Sequence, residues 1–280
     1  MRERLLANPS VAAATAFVRR CLHRLVELEF VDRAVALASL TFTALIPLGV
    51  VVGSSVPGIH RENFADSIVE RFDLDERTAT LVQQAFSPPE GVQTSLSVLG
   101  VLLLVVSALS FTRGLQRVYE TAWRMPRLGV RATPAGLIWL AGVIAFLSIF
   151  GGLRSAVVDL SRPVASVIVA LACAGAVWMF TPWMLLSRRV AWRALVPTAA
   201  LTAVGMTGLS IAGIVYMPRS ISSSAASYGT IGVAIAMVSW FVAAGFVLVG
   251  CAAVGAVLGE RRVTPPPPDA DAPGAAASDR

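Results

Sequence analysis

Charged residues disappear from the chain in six long stretches: 34–59, 91–112, 132–153, 163–187, 194–218 and 220–259. A helix needs about 20 apolar residues to cross about 30 Å of hydrocarbon, and every stretch is long enough. The sixth is too long for one span. Its beginning, 220–227, is rich in Ser and Ala and reads as a loop, which leaves the remainder as one long helix. The pattern predicts an all-α, polytopic integral membrane protein. Its six transmembrane helices fall at about 34–56, 92–112, 133–153, 164–187, 194–216 and 229–258, within a membrane domain of residues 34–262.

The segments between the apolar stretches carry different patterns. In the N-terminal segment, 1–33, Phe17, Cys21, Leu25 and Leu28 recur at helical spacing, with Arg19, Arg20, His23, Arg24 and Glu27 largely elsewhere. Two readings fit this amphipathic helix. It lies in the membrane interface with its arginines toward anionic headgroups, or it packs on the bundle from the cytosol. The first apolar run starts too late, and runs too long, for a secretory signal peptide. The outer loop, about 57–91, is acidic but places Phe64, Ile68, Phe72, Leu81, Val82 and Phe86 on an apolar side, so one or two short helices are expected to cap the bundle. Its run Asp73, Leu74, Asp75, Glu76 lacks the spacing and glycine of a calcium loop and reads as a solvated face. Four successive prolines and small residues make 263–280 a disordered tail.

The arginines set the orientation. Seventeen of the 23 lie in the N-terminal segment, the second and fourth loops and the C-terminal segment, all on one side of a six-span bundle. Loops that stay in the cytoplasm carry such an excess, so both termini are expected there.

Composition agrees with the pattern. Apolar residues make up 56% and charged residues 14%, against roughly 45–50% and 25% in soluble domains, and the mean hydropathy is +0.72. These values exclude a secreted scaffold and a cytosolic enzyme. A net charge of +6 and a pI near 10.2 would suggest nucleic acid for a soluble chain. Here the cytoplasmic arginines account for it, and no basic patch is interleaved with aromatics, so nucleic acid is not an expected partner.

Enzymatic and metal chemistry lack their residues. Cys21, Cys173 and Cys251 are too scattered for a disulfide framework or a zinc site. There is no lysine, no HExxH, no CxxC and no GxSxG. The six spans contain no Asp, Glu, His, Lys or Arg, which argues against a proton relay. No cofactor, no metal and no catalytic residue is expected.

The spans do carry hydroxyls, prolines and small residues. Ser39 and Thr43 stand one turn apart on the first span, Ser107 and Ser110 near the end of the second, and Thr198, Thr202 and Thr207 along the fifth. Such groups line a polar path or bond their own helix backbone. Pro47, Pro182 and Pro197 interrupt spans, and Pro47 is the best placed for a functional kink. Gly255 and Gly259 suit close helix approach. Tyr228, Gly229 and Gly232 sit where the last span begins, a candidate gate or turn. Asp32, Arg33, Arg113 and Arg117 form a candidate cytoplasmic charge cluster, either closing the bundle with salt bridges or anchoring helix ends at headgroups.

Several of these residues together resemble a known family. DRAVALASLTFTALIPL at 32–48 is similar to the opening motif of the YihY/virulence factor BrkB family, matching at Asp32, Arg33, Ala34, Leu37, Ala38 and Pro47. FTRGLQRVYETAW at 111–123 resembles its arginine-bearing segment, and WRALVPTAALTAV at 192–204 its R-x-x-x-P-G-A stretch, with Thr198 where glycine is usual. The segment from 228 to 258 matches at Tyr228, Gly229, Gly232, Trp240 and Gly250, but Ala252 stands where the family usually has glutamate. The resemblance implies a six-span bacterial inner-membrane protein. An old ribonuclease label borne by some members finds no carboxylate cluster or His pair here to support it.

The leading functional expectation is transport or export of a small solute, ion or lipid-like amphiphile through the bundle. Hydroxyls and backbone near Pro47 and at 228–232 would line the path. The competing expectation is a non-transporting envelope or scaffold protein, acting through its acidic outer loop and basic cytoplasmic face. Membrane lipids are the expected partners, and the apolar surface leaves room for a homo-oligomer.

Overall fold

A computed structural model describes residues 9–55, 69, 76, 79, 80, 96–157 and 163–263. Its regular structure is all helical, with no strand among the described residues. The helices are α1 (Pro9–Glu27), α2 (Phe30–Ser55), α3 (Leu96–Ala122), α4 (Thr133–Val157), α5 (Pro163–Leu185), α6 (Trp192–Tyr228) and α7 (Thr230–Val263), with a 3₁₀ turn at Gly129–Ala132. By length and composition Gly100–Ala122, Trp192–Tyr228 and Thr230–Glu260 can cross a membrane, and Thr133–Phe146 and Ala172–Leu185 are shorter apolar helices. Outward-facing Leu102, Ile138, Ile144, Ile214 and Val215 are exposed, an apolar surface that water would not tolerate over such an area. The chain is an integral membrane protein.

α7 is the centre of the bundle. It packs along α6, against α2, and also against α1 and α3. Small residues allow this. A Cβ on Gly245 would strike the carbonyl of Ala34 on α2, and one on Gly255 would strike Thr198 on α6. With little hydrophobic drive between helices in lipid, backbone approach at such sites supplies the packing. The core divides into two levels. At the arginine-rich end Leu28, Leu115, Tyr119, Leu185, Leu195 and Val249 are buried together. At the other end Met217, Ile221, Ala225, Val233 and Ala236 form a second cluster, joined by Val69 from the loop after α2. The rest of the 57–91 loop lies almost entirely outside the described residues, as do Arg2 and Arg4 and the tail beyond 263.

The stretch 220–227 is not a loop. α6 continues through it to Tyr228, so its 37 residues extend about 55 Å, well beyond the hydrocarbon thickness. Serine hydroxyls there bond back to the helix (Ser223 Oγ to Ser220 O, 3.2 Å; Ser227 Oγ to Ser223 O, 3.1 Å), and Ile221 and Ala225 are buried on α7. Tertiary packing overrode the weak helix preference of serine. The reversal into α7 takes one residue, Gly229, at φ +59°, a region a side chain rarely adopts. Gly232 closes the hairpin, since a Cβ there would collide with the Ser224 carbonyl.

At the arginine-rich end Gly129 (φ +56°) is joined in left-handed backbone by four residues that carry side chains. Glu29 (φ +52°), Arg124 (φ +49°), Ser187 (φ +52°) and Arg188 (φ +59°) take left-handed backbone, at about 1–3 kcal/mol each. Buried neighbours hold them: Leu28 and Leu186 are fully enclosed, and the Arg188 guanidinium stacks 4.6 Å over the Trp183 ring.

Candidate functional site

Two cavities flank the seam where α2 meets α3, at Leu37 and Leu40 over Gly114. Leu37 and Phe111 line one, Leu40 and Ser110 the other, because neighbouring positions on a helix face different directions. The first, about 280 Å³, is a partly open cleft between helices, with walls that include Thr41, Phe111, Trp178, Met206, Trp240, Phe241 and Ala244, supplied by α2, α3, α5, α6 and α7, and with exposed Ser210 at its edge. Its polarity is low: the Thr41 hydroxyl donates to its own helix at Leu37 O, 2.8 Å.

The second, about 480 Å³, lies at the arginine-rich end and is lined by Ser110, Arg113, Gln116, Arg117, Glu120, Arg127 and Gly129. The spacing on α3 explains the set. Positions 110, 113 and 117 share one face and 116 and 120 the adjoining one, at i+3 and i+4 intervals. Glu120 is 1% exposed and pairs with Arg189 at 3.0 Å. The same carboxylate oxygen accepts from Gln116 Nε2 (2.8 Å) and Leu128 N (3.3 Å), and Arg189 also donates to Pro126 O (2.9 Å). A buried carboxylate has to be paired in this way, and the pairing ties the α3–α4 connection to the α5–α6 turn.

A second ionic network pins α1. Arg24 is buried at 3% exposure, and its Nη2 reaches Glu260 on α7 at 3.0 Å. Its Nη1 donates to the carbonyl of Ala122 at the end of α3, and its Nε lies 3.4 Å from Glu27. Glu27 is also bridged by Arg124 (2.9 Å) and His23 (3.3 Å). Partial burial pushes the Glu27 carboxyl up. The Arg124 hydrogen bond and charge, with His23 and Arg24, outweigh that and hold it below its ordinary value. α1 therefore packs on the bundle through Cys21, Arg24 and Leu28, while Val18, Leu22 and Val26 face outward.

The residues singled out from the sequence are dispersed. Ser39 and Thr43 are exposed, and their hydroxyls bond to Val35 O and Ser39 O of their own helix. Pro47 lies within α2, and its side chain is outside the described residues. Tyr228 is exposed beside the Gly229 turn. Of the charge cluster, Arg113 and Arg117 meet at the basic cavity, whereas Arg33 pairs with Glu29 (3.0 Å) and Asp32 is exposed in the first turn of α2. Gln116, Glu120, Arg127, Arg189 and the Arg24–Glu260 link were missed. The i, i+4 pair Gln116–Glu120 beside the arginines was the one available signal for part of the set. Ala252 is fully buried in the core, and the Thr198 hydroxyl and Trp123 Nε1 are buried without a hydrogen-bond partner among the described residues.

The model of the family described as virulence factor BrkB matches residues 21–275, nearly the whole chain. No curated protein and no solved structure matches it.

Proposed function

Because the chain belongs to the virulence factor BrkB family, we propose that it sits in the bacterial cytoplasmic membrane with both termini inside and moves a small solute, ion or lipid-like amphiphile through its bundle. The observation that carries this reading is the apolar cavity of about 280 Å³ walled by five helices. A partly open apolar cleft bordered by aromatic rings suits an acyl chain or other apolar moiety. The hairpin at 228–232 is the proposed gate, with exposed Tyr228 as its contact residue and Gly229 and Gly232 fixing its turn. Ser39, Thr43 and the backbone near Pro47 are proposed to border the path along α2.

The test is flux in vesicles reconstituted with the full chain. Transbilayer movement of a fluorescent phospholipid is read by dithionite bleaching, and efflux of a small anion by an internal dye. Vesicles with the protein should exceed protein-free vesicles for at least one probe. Ala244 lines the cavity, so Ala244→Trp fills it and should remove most of that flux, and Tyr228→Ala should slow it without lowering the amount of folded protein. Vesicles no leakier than protein-free ones to both probes, or an unchanged rate with Ala244→Trp, would overturn the reading.

A further inference from the structure

We infer that the cavity at the arginine-rich end binds a phosphate oxyanion, presented either by a lipid headgroup or by a soluble phosphate compound. Three guanidinium groups, Arg113, Arg117 and Arg127, line it. Among the described residues none of the three has a carboxylate partner: Arg113 donates to the Thr133 hydroxyl (3.2 Å) and Arg117 to the Arg113 carbonyl (3.2 Å). The one acid in the lining, Glu120, is already neutralised by Arg189. The cavity therefore keeps an excess of three positive charges, with most of their N–H donors unused.

The chemistry of those donors selects the ligand. A guanidinium presents a planar fork of N–H groups that fits two oxygens of one anion, and phosphate is the tetrahedral oxyanion that several such forks can share. A carboxylate would satisfy one fork and leave the others charged and unpaired. The volume of about 480 Å³ exceeds what bare phosphate fills, leaving room for the glycerol or sugar of a larger phosphate ester. Position points the same way. Arg113 and Arg117 lie in the last turns of the apolar segment Gly100–Ala122, where a membrane helix emerges among headgroups, and Leu40 gives the site one apolar wall. The ion pair between Glu120 and Arg189 closes the floor, and the three exposed arginines stand around it with their heads open to an incoming ligand.

This inference rests on the transport reading only for the purpose of the site, as the place where a cargo or regulator is recognised. Binding itself is measured without flux, so either can fail alone. The full-length protein in detergent is offered equal amounts of phosphatidylglycerol and phosphatidylcholine with the same acyl chains, and retained lipid is read by native mass spectrometry. In a second arm, labelled inorganic phosphate is followed by equilibrium dialysis. Retention of phosphatidylglycerol over phosphatidylcholine identifies a headgroup ligand, and binding of inorganic phosphate alone identifies a soluble one. In either case Arg113→Gln/Arg117→Gln/Arg127→Gln should weaken binding about tenfold or more, as expected for losing several charge-assisted contacts. Arg19→Gln/Arg20→Gln/Arg193→Gln removes the same charge elsewhere and should leave binding unchanged. Arg127→Gln alone alters an exposed loop side chain that holds no other element among the described residues, and tests the site if the triple variant misfolds. Equal retention of the two lipids together with no phosphate binding, or equal losses in the cavity and control variants, would overturn the inference.

Discussion

Removing the Glu120 carboxylate tests how far the arginine-rich end depends on one buried ion pair. In Glu120→Ala the Arg189 guanidinium loses its anion, and Gln116 and Leu128 N lose their acceptor. Breaking a buried pair from one side costs about 3–5 kcal/mol. Arg189 is 21% exposed, so water recovers part of its solvation and the lower end, about 3 kcal/mol, applies. At about 2–4 °C per kcal/mol for a chain of this size, Tm in detergent should fall by roughly 6–12 °C. Arg189→Ala should cost at least as much, because Glu120 is 1% exposed and would be left charged with little water. The double variant should be more stable than the sum of the single losses implies, since neither partner is then left alone. Glu120→Gln keeps an acceptor oxygen and should lose less than Glu120→Ala. The assay is thermal unfolding of the purified full chain, read as the fraction remaining monodisperse. A drop below about 2 °C in Glu120→Ala, less than one kcal/mol on this scale, or strict additivity in the double variant, would refute the reasoning.

Other outcomes follow from the same structure. Thr198→Val replaces a hydroxyl buried without a hydrogen-bond partner among the described residues with a methyl of the same shape and should stabilise the chain by about 1 kcal/mol; a lower Tm would mean the hydroxyl has a partner. Gly232→Ala forces a Cβ onto the Ser224 carbonyl and should destabilise the hairpin by about 2 kcal/mol or more, whereas an unchanged Tm would show that the turn can open. The lowered pKa of Glu27 means that its contribution is fully present above its ordinary value of 4.5 and is lost as pH falls through the lowered one. A spin label at Leu22 should therefore become more mobile only in that acid range, and the transition should vanish in Glu27→Gln. Mobility that already changes near neutrality, or a transition that persists in Glu27→Gln, would contradict this assignment.

Much of the architecture was legible from charge-free lengths alone, because lipid forbids unpaired charge and open backbone, and a helix is the simplest answer to both. The pair Gly255 and Gly259 announced close packing, and the structure sets them against Thr198 and Ala194. Serine at 220–227 misled because its preference for loops is local, while Ile221 and Ala225 bury against a hairpin partner that begins only a few residues later. The candidate site was legible in half. Arg113 and Arg117 stood out as charges just past an apolar run, but nothing in the sequence marks Glu120 as buried on the same helix. Its partner Arg189 lies 69 positions away in sequence, and the turn that delivers it uses left-handed Ser187 and Arg188 rather than the glycine that would have marked it. Arg24 was hidden likewise, since one buried arginine within an amphipathic helix cannot be told from its exposed neighbours without α7 in place.

The most direct measurement of the central claim, that the bundle interior receives a cargo, is photo-crosslinking of the full chain in nanodiscs containing a phospholipid with a diazirine on its acyl chain. Peptide mapping should find adducts on the cavity residues Met206, Trp240 or Phe241 as well as on outward-facing Leu102 and Ile214, and Ala244→Trp should abolish only the interior set. Adducts confined to the outward face, with the interior untouched in the wild-type chain, would contradict the account.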